Sequence, residues 1–431
     1  MTTEGEVVMR FIILGLMGLL LMSQTWADIG KPPGSALSYP STLGSKHLDI
    51  PPHHMSSEMC RGCHQEIYDQ WRSSMHANST AIQDPIHGAF YQKLVGDPRQ
   101  EGLKHKSSGK YPICLKCHAP NAARDKRTKL DAIPAYNEGV NCLTCHMIKG
   151  YKGVLPKAEG EKMKLGVDAY EMGDVLQGPS GKVFTQMPIP TPPPESGLAA
   201  ATFHPFPMES NTALLRSSDL CLGCHEKRNN PNGVALCNTG AEFREAGDFN
   251  CQQCHMPVNK GFADHSMAGG HVQAMLERGV IVTLDTQKEG ENIQATIKLQ
   301  NMLPHKMPTG APFRNLYLKV TAYNIHGIPL WQNFKKHPIK EDAQAMFMLK
   351  LLDDNDKPAS PPKATKHGKD TRLAPRETRE LNYVIPARHV AVVRAELHYD
   401  LLLPALKEKF QSIPADLKQP RIIARAEQRI Q

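Results

Sequence analysis

Residues 60–79 read CRGCHQEIYDQWRSSMHANS, a cysteine pair with a histidine set directly against it and a second histidine twelve residues further on. Two thiols at positions n and n+3 of a tight turn can add to the two vinyl groups of a haem, and the histidine that follows is then held beneath the iron as its proximal ligand. Cys60, Cys63 and His64 meet that demand.

The pattern recurs at Cys114, Cys117 and His118, at Cys142, Cys145 and His146, at Cys221, Cys224 and His225, and at Cys251, Cys254 and His255. With 11 Cys and 20 His in 431 residues, chance placement gives about 0.013 such pentads in the chain. Five copies therefore imply five covalently attached haem c groups and their iron. A zinc knuckle also uses CxxC, but in paired units and with no histidine fixed after the second thiol. Disulfides need no histidine either. Cys237 stands outside every motif and reads as a small buried side chain.

The N-terminus agrees with the compartment this chemistry needs. MRFIILGLMGLLLMSQTWA (9–27) offers Arg10, an apolar run from Phe11 to Met22 and a small-residue exit, the pattern of a cleavable secretory signal over residues 1–27. The run is about 12 residues, short of the roughly 20 that span a bilayer. Export to a bacterial periplasm, or on to the cell surface, is expected. The formal charge of +8 would suggest nucleic acid, but loss of the leader and the propionates of five ferric haems bring the holoprotein to about +4. Nucleic acid is thereby set aside, and basic runs such as RDKRTK (124–129) read as solvated surface.

Residues 28–58, rich in Pro, Ser and Gly, read as an extended lead-in. Residues 59–271 hold all five motifs with few aromatics and little apolar periodicity, so short helices and irregular chain should wrap porphyrins that supply much of the core. Gly150 to Ser196 reads as a long surface excursion between the third and fourth motifs. After Met267 the character changes, since no CxxCH follows. Alternation in VIVTLD, NIQATIKL, LYLKVTAY, RELNYVI and VVRAELHY predicts an immunoglobulin-like β-sandwich over 272–401, and the spacing and charge of 402–431 predict a helical tail.

The histidines beyond the proximal five must close the irons. Were 64–76 one helix, His76 would lie about 18 Å from His64, so His76 is expected on a different haem. His204 and His265 are the other expected distal ligands. His53, His54, His87 and His271 are open between distal ligation and a hydrogen bond to a propionate or the backbone. His305, in NMLPHKMPTG (301–310), is open between ligation and shaping a turn, while His326, His337, His367, His389 and His398 read as structural.

The chain resembles the multihaem cytochrome c group that contains the tetrahaem carrier of nitrifying bacteria, hydroxylamine oxidoreductase and the pentahaem nitrite reductases. The resemblance rests on Tyr68, Trp71, Ser74 and His76 after the first motif, GVNCLTCHM (139–147), SSDLCLGCH (217–225), TGAEF before NCQQCHMP (250–257), and DHSMAGG (264–270). It implies distal roles for His76 and His265, and a β-domain loop N-x-x-x-H-x-x-P-T-G that here carries Pro304 where a glycine is usual. Of two functional classes, an electron carrier with every iron six-coordinate is favoured over a reductase or oxidase of small nitrogen or sulfur compounds with one open iron. The CxxCK motif of the nitrite reductases is absent, since all five motifs end in histidine. The expected partners are redox donors and acceptors, a membrane quinol-oxidising complex or other multihaem cytochromes among them, with self-assembly a third arrangement.

Overall fold

The computed structural model describes residues 50–183, 204, 206–244 and 249–431; the expected leader (1–27), the lead-in as far as residue 49 and the proline-rich stretch 187–196 lie outside the described residues. The end of the expected lead-in is not extended. Pro52–His54 makes a 3-10 turn, and Ser56 and Ser57 are buried. Glu138, about 80 residues downstream, accepts from the Ser56 hydroxyl and from the Ser57 amide (2.8 Å). A Pro/Ser-rich stretch reads as loop because the carboxylate that orders it is remote in sequence.

The haem-binding part is built of short helices: α1 (Glu58–Arg61), α2 (Gln65–Arg72), α3 (Pro85–Leu94), α4 (Leu115–His118), α5 (Pro120–Arg124), α6 (Pro134–Asn137), α7 (Cys142–His146), α8 (Asp219–His225) and α9 (Cys251–His255). The single helix expected over 64–76 ends early, at Arg72. Ser73 and Ser74 close it by local bonds, Ser73 donating to the Gln70 carbonyl (2.9 Å) and the Ser74 amide to that of Trp71 (2.9 Å).

α3 has two loaded faces. Asp84 caps it by accepting from the Ile86 amide (2.8 Å), and Pro85 occupies its first turn. Ile86 and Phe90 point into the β-sheet core, where Phe90 stacks on Phe313 at 5.0 Å and meets Phe410 edge-on at 4.8 Å. Tyr91 and Leu94 face the other way, into a small cluster with Leu115, Ala119 and Ala122.

The expected surface excursion after the third motif is in large part folded. Ile148–Tyr151 pairs antiparallel with Tyr170–Met172, and Leu176–Gly178 pairs parallel with Met208–Ser210. Tyr170 is buried, donates to the Leu220 carbonyl (2.7 Å) and accepts from the Gly223 amide (2.8 Å), so the segment straps the third motif to the fourth.

The main apolar core lies C-terminal to the motifs. Strands β1 (Val280–Glu289), β2 (Asn292–Asn301) and β5 (Thr378–Pro386) form one antiparallel sheet in the order β5-β2-β1. Strands β3 (Asn315–Tyr323), β4 (Pro329–Gln332), β6 (Val392–Asp400) and β7 (Arg421–Arg429) form the second in the order β4-β3-β6-β7, with Met346–Phe347 also on β3. Strict alternation fixes the register: Ile297 faces Leu381 across β2 and β5, and Leu318 faces Leu397 across β3 and β6. Both inner faces enter one core.

The expected helical tail is corrected. Pro404–Lys409 is a short helix, but residues 421–429 are β7, paired along β6 from Arg421↔Tyr399 to Arg429↔Val392. Ala, Arg, Glu and Gln favour helix in isolation. Here the open edge of β6 supplies the partner, Ile423 is buried against the core, and cross-strand ion pairs Arg425–Glu396 and Arg394–Glu427, both 2.7 Å, hold the outer face. The β-part thus runs from residue 280 to 429, where the sequence had suggested 272–401.

Candidate haem sites

The third and fifth motifs sit on turns whose closure the sequence explains. In α7 and α9 an asparagine precedes the first cysteine. Asn141 accepts from the Thr144 amide (3.0 Å) and Asn250 from the Gln253 amide (3.0 Å), and the Thr144 and Gln253 side chains accept in return from the asparagine amides, two reciprocal capping boxes that shape Cys-x-x-Cys. Gly139, just upstream, has φ +64°, and a Cβ there would stand 2.3 Å from the His76 carbonyl, so the segment after the first motif runs tight against the third. Trp71 adds a bond from its indole N–H to the Val140 carbonyl (2.9 Å).

The motifs are brought together in space. The Cys60 thiol meets that of Cys142, a contact that with burial pushes Cys60 up. Cys117 likewise meets Cys224, and Cys221 meets Cys251. Cys145 is within electrostatic reach of Cys221 and Cys224. First with third, third with fourth, and fourth with second and fifth, the five motifs form a contiguous array.

Two imidazoles on opposite sides of one iron place their ring centroids about 6 Å apart. His64 and His204 lie at 6.4 Å, His225 and His76 at 6.1 Å, and His255 and His305 at 6.5 Å with planes 18° apart. His118 and His87 are closer, at 4.2 Å. His265 is within electrostatic reach of His146 and His64.

The ring tautomers carry further information. A backbone carbonyl only accepts, so a ring nitrogen bonded to one carries the proton, and the other nitrogen presents its lone pair. His118 and His87 donate through Nδ1 to the Ser79 carbonyl (3.1 and 2.9 Å), and His146 to that of Gln177 (2.9 Å). His255 donates to Ala268 (2.6 Å), His265 to Ala263 (2.7 Å) and His305 to Lys306 (2.9 Å), while His204 Nδ1 lies against both the carbonyl (2.8 Å) and the amide (3.2 Å) of Phe206. This is the arrangement that orients a metal-ligating imidazole through Nε2. His87 Nε2 is buried with no hydrogen-bond partner. Burial holds His76, His87 and His225 at about 4, and His118 well below its ordinary range, so all stay neutral and ligand-ready at pH 7. The residues fit the group.

Of the histidines the sequence left open, the structure brings His87 to the second motif and His305 to the fifth. His305 comes from the β-part. Asn301 donates to the His305 carbonyl (3.0 Å) and to those of Leu373 (3.3 Å) and Ala374 (2.7 Å), fixing the loop. Thr309 and Arg372 bond Glu242 (2.6 and 2.8 Å) on Thr239–Arg244, just ahead of the fifth motif. His53 and His54 go elsewhere, both through Nε2 to Asp125. His271 is held at about 4 by burial. A signal for His87 was its position inside an Asp-Pro-capped helix; the β-part's delivery of His305 had only the NMLPHKMPTG loop to announce it.

A family model, cytochrome c554 and c-prime, matches residues 59–147. A solved penta-haem cytochrome c552 from Thermochromatium tepidum is 53% identical, covers 88% of this chain and 100% of its own, and superposes with a TM-score of 0.82. The chain belongs to the penta-haem cytochrome c552 family. It is a multihaem c-type cytochrome: it binds haem c covalently, works in electron transfer and exchanges electrons with redox partners. A DUF1425 family member from Shewanella, 15% identical over 28% of this chain and 74% of its own with a TM-score of 0.15, carries no argument. No curated protein matches the sequence. Among the described residues, no helix of this cytochrome is long and apolar enough to cross a membrane.

Proposed function

We propose that this cytochrome is an exported carrier that holds five haems, one at each CxxCH, with two histidines on every iron. The ligand set is His64 with His204, His118 with His87, His146 with His265, His225 with His76, and His255 with His305. The observation that carries the reading is the second imidazole facing a proximal one at about 6 Å at three of the five motifs; His87 is assigned to His118 as the imidazole beside it, with its buried Nε2 lacking a hydrogen-bond partner. His146 and His265 follow from their electrostatic proximity and their shared Nδ1 bonding. Haem supplies one-electron exchange between ferric and ferrous iron.

What the chain contributes is position and exclusion. Backbone carbonyls fix the rings, burial keeps them neutral, and the crowding of motif against motif holds the redox centres close enough for hopping. With no iron left open, no small nitrogen or sulfur compound can bind for chemistry, which supports a carrier over a reductase or oxidase. The cleavable-signal pattern of residues 1–27 supports export to the periplasm or cell surface, and the strand orders β5-β2-β1 and β4-β3-β6-β7 support an immunoglobulin-like sandwich.

The test is electron paramagnetic resonance on the purified holoprotein with a pyridine haemochrome count. Five haems, all low-spin and unmoved by nitrite or hydroxylamine, are expected; a high-spin component that shifts with either compound refutes the carrier reading.

A further inference from the structure

We infer that His53, His54 and Asp125 form a binding site for one divalent cation of the zinc class, separate from the haem irons, which clasps together the chain segments that carry the first three motifs. Among the described residues these three are the one group of His, Cys, Asp and Glu side chains whose ligand atoms gather as a metal ion requires, all within 4.8 Å of one another. His53 Nε2 lies 2.9 Å from Asp125 Oδ1, and His54 Nε2 lies 2.7 Å from Asp125 Oδ2. Around a four-coordinate ion with donors about 2.0–2.1 Å away, neighbouring donors sit about 3.3 Å apart. The two imidazole–carboxylate separations need to open by roughly half an ångström to reach that spacing.

The donor chemistry selects the class. Two imidazoles and a carboxylate suit a borderline ion, where calcium and magnesium prefer oxygen alone. The Tyr136 hydroxyl, 2.5 Å from Asp125 Oδ2 and 3.3 Å from His54 Nε2, orients the carboxylate and stands beside the fourth position. The site can be reached: the side chains of His53, His54 and Asp125 are 12%, 30% and 27% exposed. Arg124 adjoins Asp125 and its charge opposes the ion, so an affinity below that of cysteine-rich structural zinc is expected.

The positions give the ion its purpose. His53 and His54 lie on the turn that leads into α1 and Cys60. Asp125 directly follows α5, the helix after His118. Tyr136 is on α6, whose chain runs on to Cys142. One ion would cross-link all three.

The experiment is calorimetric titration of chelator-treated holoprotein with zinc sulfate, with thermal unfolding and crystallographic anomalous scattering at the zinc edge. Expected are one saturable equivalent, a raised unfolding temperature and an anomalous peak among the three side chains. Asp125→Asn and His54→Ala should each weaken binding more than about 100-fold, beyond what loss of a neighbouring hydrogen bond costs, while His105→Ala leaves it unchanged. No saturable equivalent, zinc binding unaltered in Asp125→Asn, or an anomalous peak elsewhere overturns the site. A hydrogen-bonded clasp without an ion is the meaning of an unmodified protein whose unfolding temperature ignores zinc, and it too overturns the proposal. Should a variant fail to load its haems, the anomalous measurement on the unmodified protein decides alone.

Discussion

Changing His305 to alanine should turn one haem of the set from low-spin to high-spin and leave the others as they are. The His305 ring faces His255 at 6.5 Å, and its Nδ1 is tied to the Lys306 carbonyl, so in the proposed ligand set alanine removes one imidazole from one iron. The loop itself survives, because Asn301 grips the His305 main-chain carbonyl and not its ring. With five motifs in the chain, the high-spin fraction should be about one fifth of the total haem. Electron paramagnetic resonance and resonance Raman spectra would be recorded at matched protein concentration, with the pyridine haemochrome count confirming that no haem is lost. His326→Ala, at an exposed position, is the control. A spectrum that stays entirely low-spin in His305→Ala, with the haem count intact, would refute the pairing of the β-part with the fifth motif and, with it, the spacing argument for His64 with His204 and for His225 with His76.

Asn301→Ala should cost roughly 2–4 kcal/mol, since three main-chain carbonyls at 2.7–3.3 Å lose a buried donor; chemical denaturation reads the loss, and a small high-spin fraction should accompany it as the His305 loop loosens. Gly223→Ala inside the fourth motif would place a Cβ 2.2 Å from the Tyr170 ring, so overpacking of roughly 1–3 kcal/mol and a fall in holoprotein yield are expected. At Asp370, burial acts to raise the carboxyl, but bonds from Arg372 and Lys306 overcome it and hold the group at about 2, below its ordinary 3.8. The folded value is depressed, so the contribution is intact above about pH 4 and is lost as pH falls toward 2. Asp370→Asn should therefore show less loss of stability between pH 4 and pH 2 than the unmodified protein, measured by thermal unfolding at each pH.

The covalent chemistry was legible because it is local: five residues in fixed order define each attachment, and Asn141 and Asn250 before two of them announce the capping boxes as well. β1, β2, β3, β5 and β6 were legible from alternation over 6–8 residues. β7 was not, because Ala, Arg, Glu and Gln satisfy helical spacing as well as strand spacing, and only the free edge of β6 decides between them. The pairing of histidines was the least legible part. His76 with His225 and His255 with His305 are contacts across roughly 150 and 50 residues, and no periodicity encodes such closures. The same remoteness hid the order of residues 50–58, whose partners Glu138 and Asp125 lie far down the chain.

α3 carries a consequence for speed. Its Ile86 and Phe90 are wedged into a close-packed sheet core, while His87, between them, is turned toward His118. In the proposed ligand set this imidazole is mounted on an element that cannot shift without disturbing a dense interior of low compressibility. Gain or loss of an electron would then meet a nearly rigid coordination shell. The inner-sphere reorganisation energy at that haem should be small, and with it the activation barrier for each hop.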